Sequence, residues 1–154
     1  MHPIDFAPRT SVAQGEDGTF LAPRFDADGL IPVVTTDPMT GDVLRMGVMT
    51  AKALRLTIQT GEVQYGSRSR QCVWHTGATS GLVQRVIEMR IDDDQDAVWL
   101  RVAVASGASC HVGYRSCFYR AVPVGQVGDL RFVERVKVFN PVAVYDDAPN
   151  LTVL

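Results

Sequence analysis

The sequence predicts a mainly β, α+β domain with one principal helix, and three observations point there. After Glu62, short β-branched runs recur between glycine or aspartate clusters. Before it, two β-rich runs flank the turn-forming stretch "DPMTGD". Between these regions, "TAKALRLTIQTG" alone combines helical periodicity with a cap at each end. A chain of 154 residues, 46% hydrophobic and 21% charged, is long enough for one unit with a substantial core.

The elements follow in chain order. Residues 1–24 mix Pro, Gly, Asp and Ser with few periodic apolar positions, which predicts an extended N-terminal arm, either mobile or draped on the domain. Order is expected to begin near Phe25, and residues 25–120 form the principal domain. "GLIPVVTTDPMTGDVLRMGVMT" reads as a hairpin. In the helix that follows, Thr50 offers an N-cap hydroxyl, Ala53, Leu54, Leu56 and Ile58 share one side, and Gly61 supplies the stop. "EVQYGS", "QCVWH", "LVQRVIEMRI", "AVWLRVAVA", "SCFYRAVPV" and "LRFVERVKVF" then read as strands. Residues 121–154 are expected to extend the same domain as a further strand and a meander, a structural appendage.

A formal charge of −2 and a pI near 5.9 give no field that would gather nucleic acid or an anionic lipid surface. No run approaches the roughly 18 apolar residues of a membrane span, and "MHPIDFAPRT" lacks the regions of a secretory leader. The expectation is a cytoplasmic protein whose partner is a small molecule. Three cysteines in such a chain read as reduced thiols for packing or metal.

Three stretches can carry chemistry. "GASCHVGYRSCFYR" holds Cys110, His111 and Cys117. Thiolates bind zinc strongly, but a catalytic zinc takes three protein ligands, so two sulfurs leave it one short. His111 adds a ligand or a base, against the plainer role of satisfying a carbonyl. In "RIDDDQD", an extended backbone would turn Asp92, Asp94 and Asp96 to one side and Asp93 to the other. Three aligned carboxylates suit Mg²⁺, and the same residues also read as a solvated acidic turn. "GSRSR" and "GATSG" offer Arg68, Ser69, Arg70, Thr79 and Ser80 to phosphate through guanidinium forks and hydroxyl or backbone donors, or else are ordinary exposed loop. The chain has no P-loop, no nucleophile elbow and no dinucleotide fingerprint.

Taken together, "DGLIPVVTTDPMTGDVLRMGVMT", "TGEVQYGSRSR", a tryptophan, "TSG", the aspartate cluster and "SCHVGYRSCFYR" resemble, in order and spacing from Phe25 to Arg120, the phosphoribosyl-AMP cyclohydrolases of histidine biosynthesis. The resemblance implies a homodimer with a bent, mixed-sheet pseudo-barrel and active sites at the subunit interface. It implies a metal-dependent hydrolase that opens the purine ring of 1-(5-phosphoribosyl)-AMP between N1 and C6. It further implies zinc held by three cysteine thiolates drawn from both subunits, and Mg²⁺ held by an aspartate trio. Carried over, Cys110 and Cys117 are two zinc ligands, His111 is the catalytic proton-transfer residue, and Asp92, Asp94 and Asp96 are the Mg²⁺ ligands. Arg68, Ser69, Arg70, Thr79 and Ser80 fall in segments expected to hold phosphate and ribose, and Arg115 of the cysteine segment joins that set.

The third zinc cysteine of the family lies in a D-C-D-x-D segment, where this chain has Asp93. Asp93 in place of a thiolate would give a harder Cys₂Asp site, more open to Fe²⁺, Mn²⁺ or Co²⁺. Alternatively His75 or Cys72 supplies the missing donor, His111 moves from base to ligand, or the site no longer closes. Asp93 or His75 completing a working site ranks first, because Cys110, His111 and Cys117 all remain. Gly66 stands for the usual Trp, His75 for Lys, Ala78 for Glu, Leu82 for Asn and Val112 for Thr. Loss of the Trp is expected to remove a stacking surface and open a cavity. The leading expectation is a divergent cyclohydrolase. The alternatives are a paralogue acting on another purine nucleotide or cyclic amidine, or a non-catalytic nucleotide- and metal-binding module.

Overall fold

Asp37 starts the hairpin turn by accepting from the backbone N–H groups of Met39 and Thr40 at 2.8 and 2.9 Å, and Gly41 closes it at φ 77°. The strands it joins, β1 (Leu30–Thr36) and β2 (Val43–Thr50), pair antiparallel from Leu30–Thr50 to Thr36–Val43. This is the computed structural model of the chain, and it describes residues 4–66, 83–104 and 113–138, with the backbone alone of 73–75.

The helix α2 (Ala51–Thr60) follows β2 directly, and α1 is the short helix Val12–Asp17. Thr50 caps α2 by accepting from Ala53 N at 3.1 Å, and Gly61 ends it at φ 73°. Thr57 faces inward, donating to Ala53 O at 2.8 Å and accepting from Gln64 N at 3.0 Å, which fixes where the next strand begins. That strand is β3 (Gln64–Gly66), followed by β4 (Val73–His75), β5 (Gln84–Ile91) and β6 (Val98–Val104).

The six strands form one sheet in the order β4-β3-β2-β1-β6-β5. β1 and β6 run parallel and the other pairs antiparallel, so the sheet is mixed. Its β5 edge curls back to the segment ahead of β3: Val63 N donates to Gln84 O at 2.9 Å and Val86 N to Gly61 O at 2.7 Å. The result is a half-closed barrel around Ile31, Val33, Met49, Leu54, Tyr65 and Leu100. Tyr65 and Gln84 add a buried polar link across it, with the phenol donating to Gln84 Oε1 at 3.2 Å.

Several expectations need correction. The arm is not extended throughout, because α1 forms within it, capped by Ser11 accepting from Gln14 N at 3.0 Å. Its only buried residue is Gly15, so no apolar periodicity announced it. Phe6 packs against Phe25 with ring centroids 6.1 Å apart and lies under the Arg55 guanidinium. "SCFYRAVPV" and "LRFVERVKVF" yield only β7 (Arg120–Ala121) and β8 (Arg131–Phe132), since Pro123 lacks an N–H and Gly125 turns the chain at φ 86°. A Cβ on Gly66 would lie 3.1 Å from both Thr50 N and Thr50 Cγ2. Among the described residues no helix is long and apolar enough to cross a membrane.

Candidate active site

The aspartates occupy the β5–β6 connection. The sequence suggested an extended run, but here the chain turns: Asp92 N donates to Ala97 O and Gln95 N to Asp92 O, both at 3.1 Å, and Gln95 adopts φ 57°. Asp92 Oδ1 accepts from Asp96 N at 2.8 Å and Ala97 N at 3.1 Å. The turn still gathers the trio, with one carboxylate oxygen each of Asp92, Asp94 and Asp96 within 4.8 Å of one another. Asp93 is exposed and outside that group.

Crowded carboxylates share protons. Asp96 is pushed up to about 6, first by its side-chain hydrogen bond with Asp92, then by burial and the charges of Asp92 and Asp94. For Asp92 burial acts upward, but hydrogen bonds from Asp96 and from the Asp96 and Ala97 backbone outweigh it and hold this carboxyl below the usual value. A divalent cation bound among these oxygens would displace the shared proton.

The cysteine segment lies along the start of β2. Cys117 N donates to Leu44 O at 2.7 Å, and Ser116 Oγ donates to Val43 O at 2.7 Å while accepting from Phe118 N at 2.9 Å. Cys117 is half-buried. Arg115 was expected on phosphate, yet its guanidinium is held by three carboxylates: Asp42 at 2.8 Å, Glu134 at 3.3 Å and Asp37 at 3.8 Å. Through these contacts the arginine clamps the β1–β2 turn to the segment that carries Glu134. Beside it opens a cleft of about 560 Å³, walled by Val34, Val43, Met46 and Phe118.

Glu134 also accepts from Ser116 N at 3.3 Å, and Val138 N donates to Gly113 O at 2.6 Å. Tyr114 stacks on Tyr119 at 4.1 Å between centroids, with Phe132 against both. The segment 131–138, expected to be an appendage, thus braces the cysteine-bearing loop. Sequence reasoning missed Glu134, Asp37 and Asp42, and no local signal exists for contacts as distant along the chain as Arg115 with Asp37 and Asp42.

The aspartate turn leads into β6, where Val98 faces Val33, and Cys117 is bonded beside the start of β2, where Val43 faces Thr36.

Cys72, Cys110, His111, Arg68, Ser69, Arg70, Thr79 and Ser80 lie outside the described residues, as do Ala78, Leu82 and Val112. The backbone of His75 pairs with Gln64 on the β4 edge.

The family model for phosphoribosyl-AMP cyclohydrolase matches residues 45–119. A Nitrobacter hamburgensis protein of that name is 52% identical over 141 residues, covering 90% of this chain and 95% of its own length. The Bradyrhizobium diazoefficiens protein of the same name is 55% identical over 131 residues, covering 84% and 93%. A Rhodopseudomonas palustris phosphoribosyl-AMP cyclohydrolase reaches 53% over 132 residues, covering 84% and 89%. With about half its positions shared along nearly its whole length, the chain belongs to the phosphoribosyl-AMP cyclohydrolase family.

Proposed function

We propose that the protein hydrolyses 1-(5-phosphoribosyl)-AMP in histidine biosynthesis, working as a homodimer with a zinc-type ion and Mg²⁺. The observation that carries this is identity of 52% to a relative of that name across 90% of the chain. In the reaction the oxygen of water ends on C6 as an amide oxygen, the C6–N1 bond breaks, and N1 takes a proton. His111 moves that proton. Arg68, Ser69, Arg70, Thr79 and Ser80 hold phosphate and ribose.

The residues fit the metals. Three carboxylate oxygens within 4.8 Å form the hard donor set that Mg²⁺ prefers. For zinc, Cys110 and Cys117 of one chain meet Asp93 of the other, a reading supported by the exposure of Asp93 and its place outside the carboxylate trio. His75 and Cys72 are the alternative third donors, and Fe²⁺ or Mn²⁺ the alternative ions. Zinc, when bound, lowers the pKa of a water molecule toward neutrality. Exposed Met46 and Phe118 beside the cysteine segment are apolar surface that a second copy would cover.

The test is turnover of the nucleotide by purified protein, followed as the absorbance change on ring opening. Activity is expected with zinc and Mg²⁺ and is expected to vanish, together with zinc content, in Cys117→Ser. Absence of turnover with Zn²⁺, Fe²⁺, Mn²⁺ and Co²⁺ alike would overturn the proposal.

A further inference from the structure

Gln95 sits at the tip of a hairpin, between two of the three clustered aspartates, and is nevertheless only 4% exposed. Its φ of 57° is a left-handed conformation that glycine adopts more readily than a residue carrying a Cβ does. The side chain runs away from the carboxylates into the N-terminal arm. There its Oε1 accepts from Ala22 N at 2.9 Å, and its Nε2 donates to Gly15 O at 3.1 Å and Phe20 O at 3.3 Å. Its own carbonyl accepts from Arg24 N at 2.7 Å.

Arg9 adds a second tie. Its Nη1 donates to Ala22 O and to Asp94 O, each at 2.9 Å, so one guanidinium joins the arm to the backbone of a trio residue. The chemistry of position 95 is selective: an amide offers one acceptor to the Ala22 N–H and a donor to two carbonyls, whereas a carboxylate would set an acceptor against both carbonyls. A buried amide with every group satisfied is held more firmly than one at a solvated turn.

We infer that the N-terminal arm positions the aspartate trio, with Gln95 as the positioning residue and Arg9 as its support. The inference rests on the trio being the divalent-cation site. The described arm, residues 4–24, lies outside the segment 45–119 that matches the family model. Backbone atoms of residues 94 and 95 are tied to the arm, and the side chains of Asp94 and Asp96 follow those atoms. Freed from the arm, the turn would sample geometries in which the three oxygens no longer converge.

The experiment titrates zinc-loaded, full-length protein with Mn²⁺, read by its electron paramagnetic resonance signal. Gln95→Gly keeps the left-handed backbone accessible and removes the anchor. It is expected to weaken Mn²⁺ binding about 10- to 100-fold, as loss of an outer-shell partner does, with Arg9→Ala weakening it less. Limited proteolysis should cut the arm of Gln95→Gly faster, and saturating Mg²⁺ should restore its turnover, which a generally damaged fold would not show. Wild-type Mn²⁺ affinity in Gln95→Gly alongside a released arm would overturn the inference. If Gln95→Gly does not fold, Arg9→Ala decides, and unchanged affinity there overturns it. Asp94→Asn separates the premise from the inference: it is expected to abolish Mn²⁺ binding, and retained binding would remove the cation reading and the inference with it.

Discussion

In the proposed Mg²⁺ site a proton and the cation would compete for the same oxygens at Asp96. Its carboxyl is raised from 3.8 to about 6, so the fold holds this proton more tightly than the unfolded chain does. The resulting contribution to stability is complete below 3.8 and is lost as pH rises through about 6. Asp92 works oppositely: its lowered carboxyl stabilises the fold above 3.8 and loses that effect as pH falls through its own lower value. Under the proposal, Mg²⁺ binding would displace the Asp96 proton. The rise in thermal midpoint on adding Mg²⁺ should therefore be small near pH 5 and large near pH 7, the proton being bound at the first and released at the second. A midpoint shift that does not change across this range would disprove the shared-proton account.

At the level of elements, two short segments carry the candidate site and each is held by chain from elsewhere. The aspartate turn is tied to the arm, and the cysteine loop is clamped between the β1–β2 turn and the segment 131–138. In Glu134→Ala, Arg115 keeps Asp42 but Ser116 N loses its acceptor. Because these groups are partly solvated, the change should lower stability by only about 0.2–1 kcal/mol. Zinc affinity should fall more visibly, by about tenfold, because Ser116 precedes the proposed ligand Cys117. Competition against a chromophoric chelator measures this, and an affinity equal to wild type would mean that the clamp does not set the sulfur's position. The turn and helix boundaries were legible from sequence because Asp37, Gly41, Thr50 and Gly61 act on backbone groups within four residues. The Arg115 clamp was not, since its guanidinium chooses between phosphate and carboxylate according to what the fold brings beside it.

On the scale of the whole molecule, the proposed zinc site draws Cys117 from one subunit and Asp93 from the other. Subunit mixing tests this. Asp93→Asn and Cys117→Ser homodimers should each be inactive, and co-refolded chains should regain about one quarter of wild-type turnover, the statistical share of sites that draw an intact cysteine and an intact aspartate from different subunits. No recovery on mixing, with mixed dimers verified by mass, would return both donors to one chain or place the third donor at His75 or Cys72.

What near neighbours along the chain decide was legible before any fold was known. Such neighbours set the caps of α2, the hairpin at Asp37–Asp42, the strand character of β5 and β6, and the grouping of Asp92, Asp94 and Asp96 within one short span. Tertiary structure alone decided the parallel pairing of β1 with β6, the curl that returns β5 to Gly61, the burial of Gln95 in the arm and the capture of Arg115 by carboxylates. The physical reason is range. A cap or a turn lowers the free energy of atoms already adjacent along the chain, whereas those later choices bring together groups from distant segments, and only the packing of the whole half-barrel fixes which of them meet.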